Sequence, residues 1–474
     1  MYENNYQNYI FVPYLHNIMY RFTQIIKILA YACCAAFVFL MPFGWQSANY
    51  ILGSFALFAV VNPDLWKNWK HYMFSFPEKA VVFVTLAYLV WEFVSMMWTD
   101  DTSYGMKRIV RHIPIFAMPF LAILARIGGV VKRPQVLIQF FCAGTLVSMF
   151  LCIYLSYCDS WYENPYGQMI FDYHLPGHRN HSLIATITSG YSYFSYSHLA
   201  HFVNPAYFSL FINILVIYAY VILYKFGFRK KVIAVSVSIV VFSAVYLVML
   251  CNRANFISFA LIIVVIGVYE LVVKKHRMAA LVIFSAIAIA ICSVLSTGRG
   301  RDMVRKITMS VSVEQTDTTT EQDTVLTLGE RKTNLAKAND RVSIWGSAFR
   351  VIKKYPVLGS GVGDSDDALI GQYYIDGKME LADRGSGTHN QFLDIWMGCG
   401  VPGIALMLAI VLIPLYYGVK FRNIGLILFA SNMIVNLMFE TMLNRSAGCF
   451  TLTFIMMLFI LTEVRDKWLP ADTH

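Results

Sequence analysis

Charged residues are scarce in this sequence. Asp, Glu, Lys and Arg make up 14% of its 474 residues, whereas soluble domains carry roughly a quarter. Hydrophobic residues make up 58%, and apolar runs of about 20 residues recur along the chain, each long enough to cross a hydrocarbon core of roughly 30 Å. The scarcity of charge excludes an ordinary soluble globular protein, and we predict an all-α polytopic membrane protein.

Metal-binding and disulfide patterns are also missing. The sequence has nine cysteines, but no CxxC pair and no Cys/His spacing typical of a zinc site. Most of the cysteines lie inside apolar runs, where a thiol behaves as a small hydrophobic side chain. The N-terminal stretch lacks the basic start and small-residue cleavage site of a signal peptide, so we expect no processing. We predict neither a metal site nor a disulfide framework.

The apolar runs predict about twelve transmembrane helices. Their approximate limits are 24–43, 48–62, 80–98, 109–126, 134–157, 205–225, 231–251, 253–273, 278–296, 400–419, 422–440 and 446–463. The chain therefore divides into a membrane region of about nine spans (1–296), a large polar loop (297–388) and a second membrane region of about three spans (389–474). A further polar loop, residues 158–204, lies within the first region.

Lysine and arginine are unevenly distributed among the short linkers. They follow the even-numbered spans almost exclusively, with Lys107 and Arg108 as the exceptions. By the positive-inside rule both termini face the cytoplasm, which places the two long polar loops on the outer side. The net charge of +10 is then mainly a topology signal that matches anionic membrane lipids, and we expect no nucleic-acid partner.

The large outer loop contains one predicted helix. The stretch "NDRVSIWGSAFRVIKKYP" (339–356) is typical of an amphipathic helix that is capped by Asp340 and ends at Tyr355-Pro356. Its apolar face is formed by Ile344, Trp345, Ala348, Phe349, Val351 and Ile352. We expect this face to lie on the membrane surface.

Two arginines on the outer side are candidate anion ligands. Arg253 lies in the tight turn "MLCNRANFISF", where the ordinary alternative is an anchor at the membrane interface. Arg341 lies in the amphipathic helix, where the ordinary alternative is a solvated side chain. The guanidinium fork matches phosphate in either place. The glycine-rich stretch "VLGSGVGDSDD" (357–367) is a weak phosphate-loop pattern, and we favour an ordinary turn with solvated aspartates.

The stretch "GSGTHNQFLDIWMGCGVPGIAL" (385–406) joins the large loop to an apolar span. Thr388 and Gln391 have the spacing of a capping box, so we predict that Thr388 caps a helix beginning at His389. The positive end of the helix dipole disfavours an imidazolium there, and a neutral His389 can accept a proton from a hydroxyl as a general base. The ordinary alternative is a histidine that hydrogen-bonds a neighbouring loop. The glycines and proline of "GCGVPG" are predicted to break the helix.

Together these stretches resemble the O-antigen ligase and polymerase family of bacterial membrane glycosyltransferases. The matching elements are, in order, "CNRANFISF", "DRVSIWGSAFRVIKKYPVLGSGVGD" and "THNQFLDIWMGCGVPGIAL". Two weaker matches are "NPAYFSLF" (204–211) and "WTDDTSYGMKRIVRH" (98–112). The resemblance covers most of the chain.

The resemblance implies a C-type glycosyltransferase fold that works at the periplasmic face of the bacterial inner membrane without a metal, cofactor or nucleotide sugar. The implied donor is a glycan on undecaprenyl diphosphate, and the acceptor in ligases is a sugar of the lipid A core. It implies His389 as the catalytic base, with Arg253 and Arg341 as diphosphate ligands. The supporting residues are Asn390 as a positioning neighbour and Lys107, Arg108 and Arg111 as second-rank anion contacts.

Three alternatives remain open at this point. An O-antigen or polysaccharide polymerase would use the same donor and lengthen the glycan on its lipid carrier, and a protein O-oligosaccharyltransferase would modify Ser or Thr. The single long loop before His389 favours the ligase. A membrane transporter would show inverted repeats and polar groups near the membrane midplane. No repeat is evident, and Glu92 and Glu270 lie toward the ends of their spans, so this class is disfavoured.

Overall fold

The computed structural model describes residues 3–72, 75–177, 186, 190–227, 229–250, 253–277 and 328–463. The first helices are α1 (Glu3–Leu40), α2 (Trp45–Val61), α3 (Pro63–Trp69), α4 (Phe76–Ser95), α5 (Thr102–Ile127), α6 (Pro134–Asp159), α7 (Tyr196–Leu199), α8 (Pro205–Phe226), α9 (Lys230–Met249) and α10 (Arg253–Val272). They are followed by α11 (Leu328–Lys354), α12 (Ser365–Ile375), α13 (Met379–Asp383), α14 (Gln391–Lys420), α15 (Ile424–Phe439), α16 (Ser446–Phe450) and α17 (Met456–Glu463).

Many of these helices have the length and composition of membrane spans. Seven stretches of the described residues are long and apolar enough to cross a membrane: Asn17–Phe43, Phe76–Trp98, Thr102–Ile127, Pro134–Asp159, Pro205–Phe226, Lys230–Met249 and Gln391–Lys420. Four shorter apolar helices are Ala48–Val61, Ile257–Val272, Ile424–Phe439 and Ser446–Thr462. The predicted span 278–296 lies outside the described residues, so the total of about twelve stays a prediction. The mostly helical chain agrees with a polytopic membrane protein.

Helix α8 lies at the centre of the packing. Every residue from Pro205 to Tyr220 is buried, and α8 contacts α6, α9, α10 and α15. It begins sharply because the Asn204 side chain accepts a hydrogen bond from the Ala206 amide (3.0 Å) and Pro205 occupies the first helical position.

A small hairpin departs from the all-α prediction. Strand β1 (Trp161–Glu163) pairs antiparallel with β2 (Met169–Phe171), and Trp161 lies opposite Phe171. The hairpin follows directly after α6, in the first of the two long polar loops. The all-α class therefore holds for the membrane-length helices and not for this loop.

The helix predicted in the large loop is longer than expected, and its apolar face is covered by protein. Helix α11 includes the residues from Leu328 onward, so Asp340 lies inside the helix and the predicted cap at Asp340 is wrong. Its buried face packs in a local core with residues of α12, α13 and α14; the buried members are Ile344, Ala348, Val351, Ile352, Leu369, Tyr373, Leu381, Ala382, Leu393 and Met397. The expectation that this face lies on the membrane surface is therefore wrong, although Phe349 is exposed. This small core fixes α11 against the start of α14.

Helix α14 is broken at Gly400, as the sequence predicts. The backbone of Gly400 has φ +64°, and a Cβ atom there would lie 2.0 Å from the Val357 carbonyl oxygen. The loop after α11 fills the break, because the Ser360 amide donates to Met397 O (2.8 Å), the Gly361 amide to Gly398 O (3.0 Å) and the Val401 amide to Val357 O (2.9 Å). Gly359 permits this close approach, because a Cβ atom there would lie 2.5 Å from the Gly398 carbonyl oxygen. The amides of Ser360 and Gly361 are occupied by protein carbonyls.

Candidate active site

His389 stands immediately before α14 and not inside it. The Asn390 side chain caps the helix, accepting hydrogen bonds from the amides of Phe392 (3.0 Å) and Leu393 (3.1 Å). The Thr388 hydroxyl donates instead to the Asn390 carbonyl (3.0 Å). The predicted cap at Thr388 and the predicted first helical position of His389 are therefore wrong, because Asn390 satisfies the free amides of the first turn.

The backbone of His389 adopts an unusual conformation. Its φ is +47°, in the left-handed region that few residues other than glycine occupy. The imidazole is 46% exposed, so its ring is open to a ligand. Such backbone strain is concentrated at functional sites, where the surrounding structure maintains it.

His389 and Arg341 meet at a third residue, Glu440. One carboxylate oxygen of Glu440, Oε1, lies 3.3 Å from Arg341 Nη2, and the other, Oε2, lies 3.3 Å from His389 Nδ1. Glu440 follows the last residue of α15, so three separate parts of the chain supply the cluster. Glu440 is not among the site residues predicted from the sequence. The available signal was an acid at the last position of the predicted span 422–440, where the polar stretch "ETMLNR" begins.

Trp345 holds the three parts of this cluster together. It lies one turn after Arg341 on α11, and residues four apart share a helix face. Its indole Nε1 donates to the Thr388 carbonyl (3.0 Å), next to His389. Its ring also lies 6.4 Å, between centroids, from that of Phe439, the neighbour of Glu440. The Arg-x-x-x-Trp spacing in "DRVSIW" therefore connects all three site segments.

Arg253 begins α10, but its side chain lies outside the described residues. Two positions later, the Asn255 carbonyl accepts from Asn213 Nδ2 (3.2 Å), which also donates to Asn432 Oδ1 of α15 (3.3 Å). Asn436, one turn further along α15, accepts the Glu440 amide (2.9 Å) through its carbonyl. The Asn255 side chain also donates to the Ala206 carbonyl at the start of α8 (3.1 Å), and the neighbouring Tyr207 hydroxyl donates to the Met442 carbonyl (2.8 Å), two residues after Glu440. The start of α10 thus lies at the same end of the helices as Glu440.

The second-rank cations have other partners. Arg108 is only 2% exposed; it forms an ion pair with Asp394 and donates to Ser365 Oγ (2.6 Å). Arg111 lies over the Tyr104 ring at 5.9 Å, and Lys107 is exposed. Within the described part of the chain, the ion-pair partners of Glu440 are Arg341 and His389 alone.

Two aspartates of the glycine-rich stretch are not solvated as predicted. Asp364 accepts hydrogen bonds from the amides of Asp100 and Asp101, both at 2.8 Å. Asp366 accepts from the Tyr104 hydroxyl (2.7 Å). These contacts tie the turn before α5 to the large loop, and only Asp367 is exposed.

The two acids weighed for a transporter each have local partners. Glu92 is buried, accepts from the Tyr88 hydroxyl (2.9 Å) and lies 2.6 Å from His112 Nδ1. Glu270 accepts from the Tyr220 hydroxyl (2.5 Å) and lies 2.9 Å from His276 Nδ1. These contacts join neighbouring side chains within the helix packing, although the second Glu92 oxygen, Oε2, is buried without a hydrogen-bond partner. Neither acid gives independent support for transport.

Comparison with known proteins bears directly on this cluster. The family model described as O-antigen ligase matches residues 238–408, a range that includes Arg253, Arg341 and His389 but ends before Glu440. A search of curated proteins found no match. The match confirms the predicted resemblance to the O-antigen ligase family over these residues, and members of that family are membrane glycosyltransferase-like enzymes.

Proposed function

We propose that this protein moves a glycan from undecaprenyl diphosphate to a sugar of the lipid A core at the periplasmic face of the bacterial inner membrane. The observation that carries the proposal is the meeting of Arg341 and His389 at Glu440. Glycosyl transfer from a diphosphate needs positive charge for the leaving group and a base for the acceptor hydroxyl. An arginine beside an accessible histidine supplies both.

The proposed reaction is a direct displacement that needs no metal ion. The acceptor oxygen attacks the anomeric carbon from the side opposite the diphosphate, and the new carbon–oxygen bond forms as the old one breaks. The electron pair of the broken bond leaves with the diphosphate, whose charge Arg341 and Arg253 stabilise. Nε2 of His389 takes the hydroxyl proton, and the anomeric configuration inverts.

The proposed arrangement in the membrane has about twelve spans in a C-type glycosyltransferase fold, with both termini in the cytoplasm. The lysines and arginines of the short linkers support this orientation, because they mark the cytoplasmic ends of the helices. The proposed site lies at the other, periplasmic ends. Asn390 positions His389 by fixing the start of α14. Lys107 and Arg111 stay proposed as secondary anion contacts. For Arg108 we propose a structural role instead, which its buried ion pair with Asp394 supports.

The test is complementation of a gene deletion. Wild type, His389→Ala, His389→Asn and the control His71→Ala, an exposed histidine of a linker, are expressed at equal membrane levels. Asparagine tolerates a positive φ, so His389→Asn removes the base and keeps the backbone. We expect wild type and His71→Ala to restore glycan on lipid A, while both His389 variants accumulate glycan on undecaprenyl diphosphate.

Other outcomes identify the alternatives. A single repeat unit on lipid A in the deletion strain would indicate a polymerase, and loss of glycan from proteins with normal lipid A would indicate a protein O-oligosaccharyltransferase. Full activity of both His389 variants would reject the catalytic assignment. No change on deletion would contradict glycan transfer altogether.

A further inference from the structure

Glu440 takes no part in the proposed proton transfer or charge stabilisation, although it contacts both His389 and Arg341. Each of its carboxylate oxygens has a different partner: Oε1 lies 3.3 Å from Arg341 Nη2 and Oε2 lies 3.3 Å from His389 Nδ1. The carboxylate is 26% exposed, less than the guanidinium or the imidazole. It therefore lies behind the two groups that face a substrate.

Buried contacts set the distance between Glu440 and His389. Gln391, two residues after His389, is fully buried. Its side-chain oxygen accepts from the Leu443 amide (2.7 Å), and its nitrogen lies 3.3 Å from Asn444 Oδ1. The segments of His389 and Glu440 are thus joined beneath the site, so the imidazole and carboxylate meet without relying on their own weak contact.

The contact selects one tautomer of His389. A carboxylate at Nδ1 favours a proton on that nitrogen, which leaves Nε2 with a free lone pair. Nε2 is then the atom that accepts the hydroxyl proton, and the carboxylate stabilises the imidazolium that forms. We infer that Glu440 is a positioning residue that orients His389 and, by sharing its carboxylate with Arg341, couples donor binding to the strength of the base. This inference rests on the proposed function.

The coupling follows from the competition for one carboxylate. With no donor bound, the Arg341 guanidinium offsets the negative charge that Glu440 presents to His389. A diphosphate offers Arg341 more charge and a bidentate geometry, and an exposed ion pair such as Arg341–Glu440 is readily exchanged. Once Arg341 turns to the diphosphate, the whole carboxylate acts on His389. The base becomes stronger only when the donor is in place.

Few other ionisable groups act on this cluster. Arg445 and Glu440 both influence Tyr207 electrostatically, and the Tyr207 hydroxyl donates to the Met442 carbonyl (2.8 Å). Asp394, on α14, is already neutralised by Arg108. Among the described residues, Glu440 is the charged group that contacts the His389 ring directly. A change of charge at position 440 is therefore expected to act mainly on His389 and Arg341.

The experiment measures pH–rate profiles of the purified full-length protein in nanodiscs, with a lipid-linked glycan donor and a lipid A-core acceptor. The variants are Glu440→Gln, Glu440→Asp and the control Glu380→Gln, an exposed carboxylate that pairs with Arg384 in the same loop. We expect Glu440→Gln to lower kcat by about 10- to 100-fold without raising the KM for the donor. Glu440→Asp should recover part of kcat, and Glu380→Gln should behave as wild type.

The pH profile separates positioning from a merely structural role. In wild type, the acid limb of kcat, which reports the donor complex, should lie at higher pH than that of kcat/KM for the donor, which reports the free enzyme. In Glu440→Gln both limbs should move to lower pH and the gap between them should shrink.

The results that overturn the inference are distinct from those that overturn the function. A wild-type kcat in Glu440→Gln, or a lower kcat with unmoved acid limbs, would reject the role of Glu440. If wild type transfers glycan and His389→Asn does not, such a result leaves the proposed function intact. If Glu440→Gln fails to fold, the acid limbs of kcat and kcat/KM are compared in Glu440→Asp instead. Its shorter side chain should bring the two limbs closer together in pH than in wild type.

Discussion

His389 keeps its left-handed backbone because the loop around it is fixed on both sides. The Tyr373 hydroxyl donates to the Ser386 carbonyl (2.9 Å) before it, and Asn390 caps α14 after it. A residue with such a φ costs of order 1–3 kcal/mol, which these contacts and the small core beneath them offset. The strain is therefore located where the proposed chemistry needs a fixed imidazole.

Asp376 is the residue that secures α11, and hence Arg341, to the rest of the large loop. Burial raises the pKa of its carboxyl. Hydrogen bonds from Ser347 and Gln372 and the charge of the Arg350 guanidinium lower this pKa by a larger amount, so that the result is about 2. Arg350 Nη1 lies 2.6 Å from Asp376 Oδ1. Since the folded-state pKa lies below the value of roughly 3.9 expected in an unfolded chain, this carboxylate stabilises the fold above about pH 4.

We predict that Asp376→Asn lowers the free energy of unfolding at pH 7 by about 1–3 kcal/mol, because a buried charged hydrogen-bond acceptor is lost. The stability difference from wild type should shrink as the pH falls from about 4 to 2, where wild type itself loses the charged carboxylate. Thermal unfolding in detergent at a series of pH values measures this. Asp383→Asn, an exposed aspartate, is the control, and an equal pH trend in both variants would contradict the assignment.

At the scale of the elements, local sequence patterns predicted which segments form helices better than where they end. The break at Gly400 was predictable, since glycines and a proline interrupt an apolar run. The start of α11 was not, because the residues before Asp340 are polar and show no apolar periodicity. The start of α14 was misplaced by two residues, because Thr388 and Asn390 both have cap chemistry and only the contacts with their neighbours decide between them.

Contacts between distant residues could not be predicted from these patterns. Glu440 is 99 positions from Arg341, and Arg108 is 286 positions from Asp394. A single sequence contains no signal that pairs such residues. His389, Arg341 and the start of α10 were therefore identified by motif, whereas the carboxylate that joins two of them, and the burial of Arg108, required the fold.

The ion pair between Arg108 and Asp394 joins α5 to α14, and we predict that it is structural. Asp394→Ala should cost about 3–5 kcal/mol, because it leaves a buried guanidinium without its counter-charge, whereas Arg108→Leu with Asp394→Leu should cost far less. The unfolding midpoint in detergent measures both, with exposed Lys107→Ala as the control. A stable double variant that transfers glycan normally would support the structural role; a stable but inactive one would make Arg108 a donor ligand.

At the scale of the whole molecule, composition alone indicated a helical membrane protein, and the long apolar helices agree with it. This succeeds because a span must be long, apolar and helical, so that its length and composition suffice to recognise it. The packing of the spans was not predictable in the same way. Nothing in their composition marks α8 as the enclosed central helix, and the hairpin after α6 lies in a loop without a clear alternation of polar and apolar residues.

The proposed orientation makes a further prediction from a cysteine the chain already has. Cys158 is the exposed member of the seven cysteines in the described residues, at the end of α6, while Lys132 is exposed just before the start of that helix. The 26 residues of α6 extend about 39 Å at 1.5 Å per residue, more than the hydrocarbon thickness of roughly 30 Å. Because the two positions must therefore lie on opposite sides of the membrane, a membrane-impermeant maleimide added from the periplasm should label Cys251→Ser, which lacks the other cysteine predicted on the outer side. It should not label the double variant Cys158→Ser/Cys251→Ser. Lys132→Cys in that double-variant background should become labelled only after the inner membrane is opened. The reverse pattern would place the His389 cluster in the cytoplasm, where a lipid-linked glycan facing the periplasm cannot reach it.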